Sequence, residues 1–277
     1  MTDQDLLILI LVAIYLSECV SWVPITDYVA QFARLRSGTF HRPGQGLGND
    51  RGRFFLSRVL PFWAGTFTTP RSAESLDLKA AEQRWQEYQS VSRPVAWGAN
   101  TTFLLLFLVL PVVWRTLGGE SMVLLVAFCL MLVSGLFTGI AHFRAHRRLF
   151  PEQRDERWKH SFLIAVLPTH ACRAHDQLGR PLLRGFHPLV LAWMALPGMA
   201  FEKCAGRFLR HSTYPLGPDE IPANLPALRQ FLEEHGFQLK PPMASGEATH
   251  YCPRCETLFG PTASQCDDCG GLALERC

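Results

Sequence analysis

The amino-acid sequence predicts a mainly α, polytopic helical membrane protein that ends in a small β module. Three features lead there. Hydrophobic residues make up 48% of the 277-residue chain and charged residues only 18%, an unusual balance for a soluble globule. The apolar residues gather in long runs. Four of the nine cysteines form two close pairs near the C-terminus, and the other five are scattered singly. Such an unpaired set argues against a disulfide framework and places the tail in a reducing compartment.

The bilayer core needs about 20 helical residues to cross. The first run, from about Asp5 to Val23, is Leu, Ile, Val and Ala from Leu6 through Leu16 except for Tyr15, and defines an N-terminal transmembrane helix within 1–23. A cleaved signal would have a basic start and a small-residue exit, whereas here Asp3 and Asp5 flank the entry and Glu18, Trp22 and Pro24 the exit, so a retained anchor is expected. Ala96 to Trp114 and Ser121 to Ala141 form a transmembrane helical hairpin, 96–141, whose second arm contains no charge. A core helix of a soluble protein would be shorter and show a polar stripe.

Charge sets the topology, because Lys and Arg collect on the cytoplasmic side of short loops. Arg34, Arg36 and Arg42 follow the first run, and Arg144, Arg147, Arg148 and Arg154 follow the third. Between the second and third lies Arg115, balanced by Glu120. The expected arrangement is an integral protein of a bacterial inner membrane, N-terminus outside, with 24–95 and everything after Ala141 cytoplasmic. Residues 161 to 168 are too few to span, and 186 to 201 contain Pro188 and Pro197 with basic residues on both sides. The basic segment 142–210 is therefore expected to hold re-entrant or interfacial helices.

Within 24–95, a cytoplasmic loop and helix, PGQGLGNDRG at 43 to 52 lacks the Lys-Ser/Thr of a phosphate loop and reads as a connector. Residues 53 to 63 have strand-like or interfacial character. Residues 74 to 91 are helix formers with Ser72 or Ser75 as cap, predicting a solvated helix. The segment 211–249 is a proline-rich linker with a short helix, LRQFLEEHG, stopped by Gly236. Residues 237 to 249 read as a tether that leaves the tail a separate module.

The tail carries the strongest chemical signal: Cys252-Pro-Arg-Cys255, ten residues, then Cys266-Asp-Asp-Cys269-Gly-Gly. Each pair lets two thiolates reach one ion from a tight turn, and two such knuckles close a tetrahedral site. Pro253 pre-sets the first turn, and Gly270 and Gly271 permit the exit from the second. This stretch resembles the zinc-ribbon family, over about residues 250 to 272. The resemblance implies two short hairpins around one structural Zn2+, making 250–277 a zinc ribbon. Four thiolates leave no open coordination position, which argues against catalytic zinc. From 249 to 277, Glu256, Asp267, Asp268 and Glu275 outnumber Arg254 and Arg276, so a protein partner fits better than nucleic acid.

Other polar groups invite chemistry. His142 and His146 sit one helical turn apart after the third run and, with His160, His170, His175 and Asp176, suggest a second metal. The adjacent His-His pairs of membrane desaturases are absent, however. If residues 168 to 176 are helical, Cys172 shares a face with His175 or Asp176, a conceivable nucleophilic pair. Headgroup contacts are the plainer use of these residues. Glu18 would be an intramembrane carboxylate. Gly135 and Gly139, beside Ser134 and Thr138, suit close helix packing within the protein or between copies in a homo-oligomer. The leading expectation is a non-enzymatic assembly, scaffold or regulatory protein that contacts membrane lipid and presents the ribbon to a cytosolic or membrane protein. The rival is an interfacial membrane enzyme built on residues 142 to 187.

Overall fold

The computed structural model describes residues 5–6, 9–14, 20–32, 38–42, 48–49, 52–56, 65–117, 122–216, 225–237, 246 and 248–277. Outside them lie Glu18, most of the glycine-rich connector, residues 57–64, the turn at 118–121 and much of the proline-rich linker. The chain divides into two compact units, Met1–Ala195 and Leu196–Cys277.

The first unit is organised by a helical hairpin. Asp77 accepts a hydrogen bond from Ala80 N at 2.9 Å and starts α1, Leu78–Leu104. Its carboxylate takes the capping role expected of Ser72 or Ser75. A π turn, Leu105–Val109, carries α1 directly into α2, Leu110–Leu117. The turn precedes Pro111, which has no N–H to give Phe107, and the wider turn absorbs that lost bond. The expected solvated helix at 74 to 91 and the apolar run from Ala96 are thus one continuous helix, and its early residues Ala81 and Tyr88 are buried. The second arm is α3, Met122–Leu149.

Small residues join the arms. The Thr102 and Ser134 hydroxyls lie 2.9 Å apart, and both reach the Gly98 carbonyl, at 2.9 and 3.3 Å. A side chain at Gly98 would collide with Thr138. One turn round α3, Gly135 and Gly139 receive α4, Arg154–Val166: a Cβ at Gly139 would stand 2.8 Å from both the Ala165 Cβ and the Ser161 carbonyl. Leu11, from the first apolar run, packs with Leu106 and Met131 of the hairpin.

Two helices, Leu78–Thr116 and Met122–Leu149, are long and apolar enough to cross a membrane. Only 33% and 28% of their most apolar stretches are buried, unlike a soluble core helix. Leu108, Val112, Leu125, Phe128, Val133 and Phe137 point outward. The first run does not stay helical to Val23. Residues 5–6 and 9–14 are helical, but Val20–Pro24 form strand β1.

Segment 24–95 also departs from a loop and helix. It adds β2 (Asp27–Phe32), β3 (Gly38–His41), β4 (Gly48–Asn49), β5 (Gly52–Leu56) and β6 (Gly65–Pro70). They pair antiparallel in two three-stranded sheets, ordered β1-β5-β4 and β3-β2-β6. β2 is buried along its whole length, and Gln31 Nε2 donates to Thr66 Oγ1 at 3.4 Å. Phe32, Phe67 and Trp85 join β2, β6 and α1, every ring pair 5.1 Å apart.

Residues 161–201 contain only short helices: the end of α4, α5 (Pro168–Cys172), α6 (Ala174–Gly179), α7 (Pro188–Ala195) and the start of α8 (Gly198–Thr213). α7 lies against β2 and β3, where a Cβ on Gly38 would meet the Ala195 carbonyl at 2.7 Å. Thr69 Oγ1 donates to the Arg184 carbonyl at 3.0 Å, and His187 N donates to the Ser75 carbonyl at 2.7 Å.

The second unit contains α8, α9 (Leu225–Glu234) and the β tail. α9 ends as read from sequence: Gly236 adopts φ 72°, and Phe237 N returns to the Leu232 carbonyl at 2.9 Å.

Two outcomes follow. Gly139→Val should destabilise the fold by about 2 kcal/mol in detergent unfolding, because backbone as well as Ala165 blocks the new side chain. His187 is buried, which pushes its imidazole down to about 4, and its Nδ1 accepts from Leu189 N at 3.2 Å. The unfolded chain takes up that proton near pH 6.5, so stability is full above pH 6.5 and falls by about 3 kcal/mol towards pH 4. His187→Asn should flatten this slope in pH-dependent melting.

Candidate metal centre

The four cysteines converge. Strands β7 (His250–Tyr251) and β8 (Leu258–Phe259) flank the first knuckle, with β11 (Glu275–Arg276) pairing to β7. Strand β9 (Gln265–Cys266) leads into the second, and β10 (Leu272–Ala273) pairs back to it. At the first knuckle Glu256 N donates to the Cys252 carbonyl at 2.9 Å, and Cys252 N donates to the Thr257 carbonyl at 3.0 Å. At the second, Gly270 and Gly271 take φ 69° and 80°, and Gly271 N closes on the Cys266 carbonyl at 3.0 Å. These are the positions where the sequence asked for conformations that other residues resist.

One sulfur each from Cys252, Cys255, Cys266 and Cys269 lies within 4.8 Å of all the others. Cys255 Sγ and Cys266 Sγ are 3.8 Å apart. Four sulfurs held about 2.3 Å from one central ion would stand about 3.8 Å apart in a tetrahedron, so the donors fit a single metal ion. The partly buried Phe259, Leu272 and Leu274 pack against the cysteine cluster.

The thiols differ in acidity. Burial opposes ionisation of Cys255, but hydrogen bonding to Thr257, whose Oγ1 is 3.1 Å from the sulfur, brings it down to about 7. Burial, followed by hydrogen bonding among the neighbouring sulfurs, pushes Cys269 up to about 12. A metal must therefore displace protons from the buried thiols while finding Cys255 already near ionisation at neutral pH.

Residues outside the cysteine pattern hold the ribbon to α8. Arg254, between two ligand cysteines, is buried and donates to the Tyr214 carbonyl at 3.0 Å. Arg210 of α8 pairs with Glu256 at 2.8 Å. Tyr214 and Tyr251 each donate to a Glu275 oxygen at 2.7 Å, and these bonds hold that carboxyl below its ordinary value. None of these pairings has a sequence signal, since each joins residues far apart in the chain. Arg254, which counts as a surface charge in the sequence, is inside.

The other candidate residues occupy separate places. His142 and His146 are buried between α3 and α4. The Tyr88 hydroxyl donates to the His175 carbonyl at 3.1 Å and lies 3.1 Å from its ring, whose imidazole burial holds below its usual value against the opposing effect of Asp176. Cys172 Sγ approaches the Pro168 carbonyl at 3.3 Å, and His170 Nδ1 is buried without a hydrogen-bond partner. Among the described residues, the four cysteines are the only group of three or more His, Cys, Asp or Glu that could hold a metal ion. Comparison of the chain with protein-family models, with curated proteins and with solved structures finds no match.

Metal affinity should fall by at least about tenfold for each pH unit lost below neutrality, because the metal competes with protons for the high-lying thiols. Chelator competition between pH 8 and pH 6 reads this directly.

Proposed function

We propose that this chain is an anchored assembly, scaffold or regulatory protein of the bacterial inner membrane. In this reading it presents a cytosolic zinc ribbon to a protein partner. The observation that carries it is the four-sulfur cluster, all within 4.8 Å of one another and with the Cys255 and Cys266 sulfurs 3.8 Å apart; four thiolates on one ion would leave no position for a substrate. A tetrahedral all-thiolate set selects zinc or iron, and a redox-inert ion suits a structural role. The two long apolar helices, mostly unburied, support anchoring, and the arginines after Ala141 support a cytoplasmic tail.

The ribbon's surface narrows the partner's chemistry. Arg254 is buried and Arg210 is paired with Glu256, while Asp267 and Asp268 of the second knuckle are exposed. Four thiolates around a divalent ion add net negative charge beside them. A partner with a basic surface fits this face, and nucleic acid does not.

Purified full-length protein should contain one zinc per chain. Cys252→Ser with Cys266→Ser should lose the zinc and the capture of the partner identified by in-cell crosslinking. Asp267→Lys with Asp268→Lys should keep the zinc and weaken capture by about tenfold or more. Full capture without zinc would contradict the proposal.

A further inference from the structure

The polar groups where α3 ends its apolar stretch form a cluster that the ribbon does not use. His142 and His146 are 1% and 6% exposed, with ring centroids 5.7 Å apart. α4 closes over them. Ser161 Oγ lies 2.9 Å from His142 Nδ1. Arg157, 7% exposed, stacks its guanidinium 5.3 Å from the Phe143 ring centre, and Phe143 packs on Trp158 at 4.7 Å. Phe150 covers His146 at 5.0 Å. Two buried nitrogens have no hydrogen-bond partner, His146 Nδ1 and Arg157 Nε.

Arg157 makes no ion pair among the described residues. Arg157, the imidazole of His160 and the exposed Glu156 are the groups whose electrostatics reach His146. The Arg157 Nε is thus withdrawn from water without a hydrogen-bond partner, and the guanidinium has a ring face but no carboxylate within ion-pair distance among the described residues, an unfavourable arrangement for a buried cation. The cluster therefore lacks an anion rather than a cation, since a metal would meet the fixed positive charge. Exposed Arg144, Arg147, Arg148, Arg154 and Lys159 outnumber exposed Glu152, Asp155 and Glu156 in the same stretch of chain, a net positive balance. A guanidinium fork beside an imidazole N–H matches a phosphate, which offers several acceptor oxygens and a full charge.

We propose that Arg157, His146 and the Ser161-tethered His142 form a receptor for a phosphate group. Arg157 supplies the charge, and His146 Nδ1 supplies a second donor. The phosphate comes from an anionic phospholipid headgroup or from solution. Only the lipid source rests on the membrane reading above, and failure of that reading would leave the solution source standing.

The test is thermal unfolding of delipidated full-length protein in detergent, titrated with phosphatidylglycerol, with phosphatidylcholine as the zwitterionic control, and separately with inorganic phosphate. Wild type should be stabilised by phosphatidylglycerol or by inorganic phosphate, and the apparent affinity should weaken by at least about tenfold in Arg157→Met. Without added phosphate, Arg157→Met should melt no lower than wild type, since it removes an unpaired buried charge; a purely structural arginine would instead be missed. His146→Leu gives the same reading of affinity if Arg157→Met fails to fold. A response to phosphatidylglycerol alone assigns a headgroup, and one to inorganic phosphate alone assigns a soluble phosphate; either upholds the receptor. Absence of any response in wild type, or an undiminished response in both variants, would overturn it.

Discussion

Ser134, Gly135, Thr138 and Gly139 give α3 two adjacent narrow faces, and the first unit is built around them. The hydroxyl pair meets Gly98 and Thr102 of α1, and the glycine pair admits the backbone of α4. Residues four apart share a helix face, and neighbours in sequence lie about 100° round it, so these four small positions serve two partner helices. Within a bilayer no hydrophobic gain would draw these helices together, and close backbone approach with shared hydroxyl bonds would take that part. Once α4 is seated on the glycines, Ser161 must face His142 and Arg157 must lie over Phe143. The buried cationic cluster is thus a geometric consequence of the same seam.

The second unit depends on a different constraint. The tail's strands are two residues long, too little to fold by burial alone, so a metal on the shared sulfur cluster would supply its order. Arg254 links that cluster to α8, because the turn that aims Cys252 and Cys255 also fixes the arginine that bonds the Tyr214 carbonyl. Arg210 with Glu256, and the two tyrosines on Glu275, reinforce the same junction. A metal held by these cysteines would therefore be linked to the conformation at the end of α8 through one buried side chain.

Legibility in the sequence followed locality. The CxxC knuckles, the positive-φ glycines after Cys269 and the stop at Gly236 are set by neighbours in the chain, and they read correctly. The apolar helices were visible from composition, but the polar first half of α1 looked like a separate element because its sequence changes character before its backbone does. The sheets were hidden. β2 is buried on both faces and carries Asp27 and Gln31, so it shows no alternation, and its partner β6 arrives only after a long excursion. The glycine spacing on α3 announced close packing without naming α4 as the partner, since any small-faced helix would satisfy it.

Whether the α1–α3 hairpin lies within a bilayer decides how the exposed apolar surface is understood, and Cys129 reports on it directly. It sits exposed on α3, amid outward-facing Phe128 and Leu130. Peptide-resolved labelling with a charged, water-soluble maleimide on sonicated native membranes is the measurement. A spanning hairpin predicts that Cys129 stays unlabelled until detergent and denaturant are added, while exposed Cys277 reacts at once. Rapid labelling of Cys129 in intact membranes would contradict a membrane-embedded hairpin.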